Sequence, residues 1–220
     1  MPTVDDLRGS VEALARLAAA DLDVLWRDFA SAEALRDDLQ DVLPQLVEVY
    51  GSAAGSVAAD WYDEVRESAE VGRRFTAYVP DVIDPDSARV LARWAVDPLF
   101  QPEPDVSAAR TLLDGGLQRR VANVARAAVT DSTVADPSAQ GWQRVTSGRS
   151  CGFCVMLASR GAVYSERSVS FASHDACDCY AVPAFEGRPR PVDPFTPSQR
   201  RANDADRARV RAYLAQNNAG

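Results

Sequence analysis

All four cysteines and the single histidine of this 220-residue chain fall between positions 151 and 179: Cys151-Gly-Phe-Cys154, then His174-Asp-Ala-Cys177-Asp-Cys179. A Cys-x-x-Cys turn aims two thiolates at one ion, and His-x-x-Cys supplies the other half of a tetrahedron. The 19 residues between the halves match the gap of roughly 15–20 found in zinc modules. Five donors for four positions leave one over. Cys151 and Cys154 are expected to form one half and His174 and Cys177 the other, with Cys179 as the alternate ligand. Residues 135–183 hold few large apolar side chains, so a stable module there needs a staple, and a structural zinc is the expected cofactor. Even without metal, the chosen atoms are expected within about 4 Å of one another.

The same residue types serve other chemistries. A disulfide would place two sulfurs about 2.05 Å apart. The opening MPTVDDLRGS carries acids where a secretory signal carries bases, so the chain is expected to be made and kept in a cytoplasm, where thiols stay reduced. A virion can nevertheless oxidise once outside the cell. A thioredoxin-like role for Cys-x-x-Cys lacks the flanking βαβ pattern. A Cys–His dyad stays open, since His174 can serve any of the cysteines. The sequence has no HExxH, which excludes a zinc peptidase of that type. A serine protease needs a histidine base, and a metal-bound His174 leaves none. The paired aspartates of the first helices are explained by a solvated helix face.

The elements that must position these residues are mostly helical. Leu7, Val11, Leu14, Ala18, Leu22, Leu25 and Phe29 recur at spacings of three and four, which predicts a helix over 4–30. Thr3 and Asp6 form a capping box with a short acid. Ser31 starts a second helix through Leu35, Leu39 and Val42, which Pro44 breaks or kinks. A third stripe runs from Val47 to Val65, and its small residues Gly51 to Ala59 let another helix approach. Pro80 and Pro85 mark a loop with Asp84 or Asp86 as cap, before a short helix around Val90 to Ala95. Another helix spans Ser107 to Val129, with Gly115 and Gly116 as a place to bend. Trp26, Trp61 and Trp94 sit at apolar helix positions and are expected in the core.

After Asp131 the pattern changes. Strands are predicted at 141–146, 161–164 and 179–182, with Trp142 and Tyr164 packed over the metal module. Beyond Pro183 the chain is too rich in proline for regular structure. A last amphipathic helix over 198–216 carries Arg200, Arg201, Arg207, Arg209 and Arg211. The expected architecture is therefore mainly α. Residues 1–134 form a helical domain, 135–183 a small β-containing Cys/His module, and 184–220 an extended Pro-rich tail with a terminal helix.

Charge separates the regions further. The chain carries −8, but residues 1–70 hold 16 acids against 5 arginines, a balance of −11, whereas residues 151–220 hold 7 against 9, or +2. The first third is unsuited to gripping nucleic acid, and only the Arg-rich terminal helix offers a surface for packaged DNA. An apolar fraction of 46% and a charged fraction of 25% exclude a wholly disordered chain. No run approaches the roughly 18 apolar residues of a membrane span. All 24 basic residues are arginine and Ile83 is the only isoleucine, the bias of a high-GC genome.

Gly141-Trp-Gln-Arg-Val145, Cys151-Gly-Phe-Cys-Val-Met-Leu-Ala-Ser-Arg-Gly-Ala-Val-Tyr164, His174-x-x-Cys177-x-Cys179 and Val182-Pro183 together resemble the phage Mu F-like minor head proteins. The resemblance is to the branch found in tailed phages of actinobacteria, in keeping with the codon bias. It is specific over 135–183 and looser over the helical stretch that includes Tyr50-Gly51 and Ala54 to Arg66. It implies a minor capsid protein encoded beside the portal, acting in head morphogenesis and located in the phage head after assembly in the host cytoplasm. Portal and capsid or scaffold proteins would be its partners. Some members of this branch are described as capsid maturation proteases. The chemistry above weighs against an enzyme, and a structural role is expected.

Overall fold

In the computed structural model, which describes residues 2–27, 29–80, 84–148, 150–161, 164–165, 171–186 and 208, the chain starts on a capping box. The Asp6 N–H donates to Thr3 Oγ1 (3.2 Å) and the Thr3 N–H to Asp6 Oδ2 (2.8 Å). This satisfies donors that a helix start otherwise leaves open. Helix α1 then runs Val4–Arg27 and buries Leu7, Val11, Ala15, Ala18 and Leu22 along one stripe.

Helix α2 spans Ala32–Ser68, capped by the Ser31 hydroxyl, which accepts the Ala34 N–H at 3.2 Å. Of the break or kink expected at Pro44, the break does not occur: the second and third stripes are one 37-residue helix that passes through it. Proline inside a helix costs roughly 3 kcal/mol. Leu35, Leu39, Leu43 and Val47 on one side of it, and Ala54, Ala58, Trp61 and Tyr62 beyond, are all buried on the same continuous core. Full burial of each leucine or valine is worth roughly 1.5–3 kcal/mol, so packing outweighs the missing hydrogen bond.

Helix α3 (Pro85–Ala95) begins at Asp84, whose side chain accepts from the Asp86 N–H, and leads through a 3₁₀ turn, Asp97–Phe100, to α4. Helix α4, Val106–Ala135, is longer than the periodicity predicted. Its glycines serve close approach without ending the helix. A Cβ on Gly116 would lie 2.4 Å from Leu91 Cδ1 of α3, and one on Gly115 3.3 Å from Asp175 Cβ. The expected small-residue contact on α2 is present at Gly55, where a Cβ would sit 3.0 Å from Val124 of α4. Of the three helical tryptophans, Trp61 is buried, while Trp26 and Trp94 are only half-buried at the edge of the core.

A buried carboxylate turns the chain from α4 to the sheet. Asp136 accepts from Arg66 Nε (2.8 Å), Tyr62 Oη (3.2 Å) and the Ser138 N–H (2.8 Å). Burial first, and then the neighbouring Asp136 charge, push the Tyr62 hydroxyl above its ordinary range, so it stays a donor. Strand β1 (Gly141–Val145) pairs antiparallel with β2 (Tyr180–Ala184), from Gly141 opposite Ala184 to Val145 opposite Tyr180. A single bridge joins Trp142 to Tyr164, where the third strand was expected; Ala162 and Val163 lie outside the described residues. Gly141 has φ +149°, and a Cβ there would stand 3.0 Å from the Tyr164 carbonyl, so glycine is required.

Trp142 stacks on Tyr164 with ring centroids 4.3 Å apart. Both rings, with Tyr180 and Ala181, join the same core as the helices. The fold is thus mainly α with a two-stranded sheet beside α4. The Pro-rich segment and the terminal arginine-bearing helix expected over 184–220 lie almost wholly outside the described residues.

Candidate metal centre

The Cys-x-x-Cys pair sits where a short helix begins. Cys151 is the residue before α5, Gly152–Ala158, and Cys154 is three positions on, so both sulfurs fall on one face. This seven-residue helix is too short to show a periodicity in the sequence. Cys154 points inward and is fully buried, whereas Phe153, Val155 and Met156 stay exposed. The second half comes from a tight turn. The Cys177 N–H donates to the His174 carbonyl at 3.2 Å, and Ala176 takes a left-handed φ of 57°. Cys179 follows at the edge of β2.

The five side chains converge. Cys151 Sγ lies 3.0 Å from His174 Nε2, Cys154 Sγ 3.8 Å from the same nitrogen, and Cys154 Sγ 3.8 Å from Cys177 Sγ. Four thiolates 2.3 Å from a zinc would stand about 3.8 Å apart. The donor atoms form two groups, each within 4.8 Å: Cys151, Cys154 and His174, and the wholly buried Cys154, Cys177 and Cys179. Cys154 belongs to both. The expected second half is thereby divided, since His174 falls in one group and Cys177 in the other. Cys179, expected as the alternate, is in close contact on the buried side.

All four cysteines are free thiols, and the 3.8 Å between Cys154 and Cys177 is far beyond a sulfur–sulfur bond. The imidazole is held in place by its far nitrogen. The Asp175 carbonyl, which can only accept, stands 2.8 Å from His174 Nδ1, so Nδ1 carries a proton and Nε2 is the atom that faces the sulfurs. The donor set, three buried thiols with a fourth thiol and an imidazole at the rim, could hold a metal ion.

The thiols are not equivalent. A hydrogen bond from the Cys179 thiol brings Cys177 down to about 4, while Cys179 as the donor is pushed up. Burial pushes Cys154 up to about 11. Burial opposes ionisation of Cys151 too, yet the Cys154 backbone N–H and the His174 ring bring it below the ordinary thiol range. The bond to the Asp175 carbonyl raises His174.

Around the donors lies a polar shell that spacing did not reveal. Arg126 of α4 donates to the carbonyls of Cys179 (2.8 Å) and Cys177 (2.6 Å). Arg144 of β1 donates to Cys154 Sγ (3.7 Å) and to the Ala172 carbonyl (2.7 Å). Arg8 of α1 donates to the Asp178 carbonyl at 3.0 Å. The Asp178 carboxylate accepts from the Ser147 and Ser150 hydroxyls, and Ser150 Oγ also lies 3.5 Å from Cys179 Sγ. Arginines among apolar neighbours, Val-Ala-Arg126-Ala-Ala and Trp-Gln-Arg144-Val, were the available signal, because an arginine in such a setting needs a buried acceptor. Trp142 packs with the helical core, and Phe171, whose ring is 5.6 Å from it, borders both that core and the cysteines. No helix among the described residues is long and apolar enough to cross a membrane.

No curated protein and no solved structure matches the chain significantly. Residues 2–203, the helices and the cysteine-bearing segment together, match a family of viral gene products. The chain belongs to the VG15 protein family, which points to a phage protein.

Proposed function

We propose that this is a phage minor head protein of the Mu F-like type, acting in head morphogenesis at the portal or capsid interior, with a Cys/His module over 135–183 closed by a structural zinc. The supporting observation is the convergence of Cys151, Cys154, His174, Cys177 and Cys179 from two separate segments onto Cys154, in the same stretch that carries the resemblance. Thiolates with an imidazole suit zinc, which has no redox chemistry of its own and takes four such donors. When bound, the ion cross-links the α5 turn to the 174–179 turn. Arg126 and Arg8 meanwhile hold that second turn on α4 and α1. The chain's own residues thus fix a small surface on a helical body, as suits a part that docks rather than one that turns over substrate. Its proposed partners are portal and capsid or scaffold proteins, with packaged DNA at the arginines of 200–211.

A second reading, a capsid maturation protease, is favoured by one contact: the 3.0 Å approach of the half-buried Cys151 sulfur to His174. Phage carrying Cys177→Ser or His174→Ala separates the two. The structural reading expects defective heads in which the capsid protein is processed as in the wild type. Cleavage of scaffold or capsid protein by the purified chain, abolished by His174→Ala with the fold intact, would replace it with the protease.

A further inference from the structure

Two of the buried arginines, Arg126 and Arg144, stand against the cysteine cluster. Arg126 is 1% exposed and Arg144 4%. Their guanidinium carbons lie 5.3 and 3.8 Å from the centre of the Phe171 ring, so one aromatic side chain spans the two cations. Among the described residues, neither has a carboxylate within ion-pair distance, although Arg8, Arg66, Arg110 and Arg119 all do. Arg126 bonds to the Cys177 and Cys179 carbonyls and to Asn123 Oδ1 at 2.9 Å. Arg144 bonds to Ala172 and to the Cys154 sulfur, and its Nε is buried with no acceptor. Carbonyls satisfy N–H groups but leave net charge uncompensated. A guanidinium cannot shed its proton to escape burial, and a buried charge without an opposite one is strongly destabilising. Each arginine therefore needs an anion, and the side chains beside them are thiols.

We propose that Arg126 and Arg144 are the counter-cations of the metal centre. A divalent ion held by three or four thiolates carries a net charge of −1 or −2, which the two guanidiniums offset. Arg144 acts directly on the Cys154 sulfur, the donor common to both groups. Arg126 acts through the peptide groups of Cys177 and Cys179, fixing their carbonyls so that the sulfurs face inward. Both are positioning residues, and their effect is on metal affinity. The inference rests on the zinc reading of the site.

The test is zinc affinity of the full chain, measured by competition with a chromophoric chelator, together with the thiolate-to-metal absorption of the cobalt form. Arg126→Met and Arg144→Met keep the bulk and remove the charge. Each should weaken zinc binding roughly 10–100-fold, the usual effect of losing an outer partner of a ligand, and shift the cobalt band. Arg144→Lys should restore binding to within about threefold, because it keeps the charge. Met variants that bind as tightly as the wild type, or a lysine variant as weak as the Met variant, would overturn the proposal. Should the Met variants fail to fold even in excess zinc, Arg144→Lys carries the test alone, with a tenfold or greater loss overturning it. A wild-type chain that takes up neither zinc nor cobalt would remove the zinc module itself, whereas tight wild-type binding with unchanged Met variants removes only the role of the arginines.

Discussion

The helical body and the cysteine-bearing segment are held together by different physics. The body buries leucine, valine and alanine from four helices against one another, with Leu22, Leu35, Leu39, Leu43, Leu91, Leu113 and Leu117 fully covered. Among the described residues after β1, Tyr164, Tyr180 and Ala181 join the core of the helices, and the cysteine turns lie outside it. Their own buried cluster is Cys154, Cys177 and Cys179, with Cys151 and Phe171 at its edge. Apolar burial is non-directional and tolerates substitution. A thiol cluster ringed by arginines depends on a few groups in fixed places. The body should therefore lose stability in increments, and the cysteine segment all at once.

Chelation gives the largest contrast. Structural zinc contributes apparent free energies of about 10–16 kcal/mol in small modules, far more than any one side chain of the body. Stripping metal from the reduced protein, or replacing Cys154 with serine, should abolish amide-exchange protection in β1 and β2. Protection in the central turns of α2 and α4 should survive. Hydrogen exchange followed by mass spectrometry reads both at once. Equal protection with and without chelator would break the comparison, since the segment would then stand without its staple. Equal loss in both regions would break it the other way, making body and segment one cooperative unit.

Asp136 sits at the joint between the two regions, and its replacement should have the next largest effect. Asp136→Ala strips Arg66 of its buried partner and leaves the Tyr62 hydroxyl without an acceptor. Breaking one side of a buried ion pair costs about 3–5 kcal/mol. Denaturant unfolding of the zinc-loaded protein should show that loss in the body, with the cobalt thiolate band unchanged. A changed band with normal stability would mean that the joint serves the metal site and not the helices.

How far the sequence discloses each region follows from the same contrast. The stripe of α1 and the caps at Thr3, Ser31 and Asp84 are local patterns, and they stand in the structure where spacing predicts them. Pro44 misleads because its cost is local while its compensation, the burial of Leu39, Leu43 and Val47, is tertiary. The cysteine cluster is legible because so few residue types bind soft metals and all of them lie together. Their partition into two groups around Cys154 is not legible, since it depends on the turn at Ala176 and on which way α5 faces. Arg126 and Arg144 escape notice for a related reason. A sequence displays a charge, but only packing shows that it is buried.

The smallest effect is the most discriminating for the claim that the body loses stability in increments. Ser31 holds the first turn of α2 through one hydroxyl, at an exposed position just past the end of α1, whose opposite end carries Arg8 and its bond to the cysteine turn. Removing such a cap costs about 0.5–2 kcal/mol, which in a chain of this size lowers the thermal midpoint by about 2–4 °C per kcal/mol. Ser31→Ala should therefore show a small drop in midpoint, with zinc affinity equal to the wild type. The same shift should appear whether or not metal is bound, because the lost hydrogen bond belongs to the body in both states. Additivity is expected for sites this far apart without shared partners. Paired thermal scans of Ser31→Ala and wild type, each with zinc and with chelator, measure it. A cap effect that vanishes in chelator would mean that removing metal already frays α2, which would place the reach of the cysteine cluster across the whole helical body.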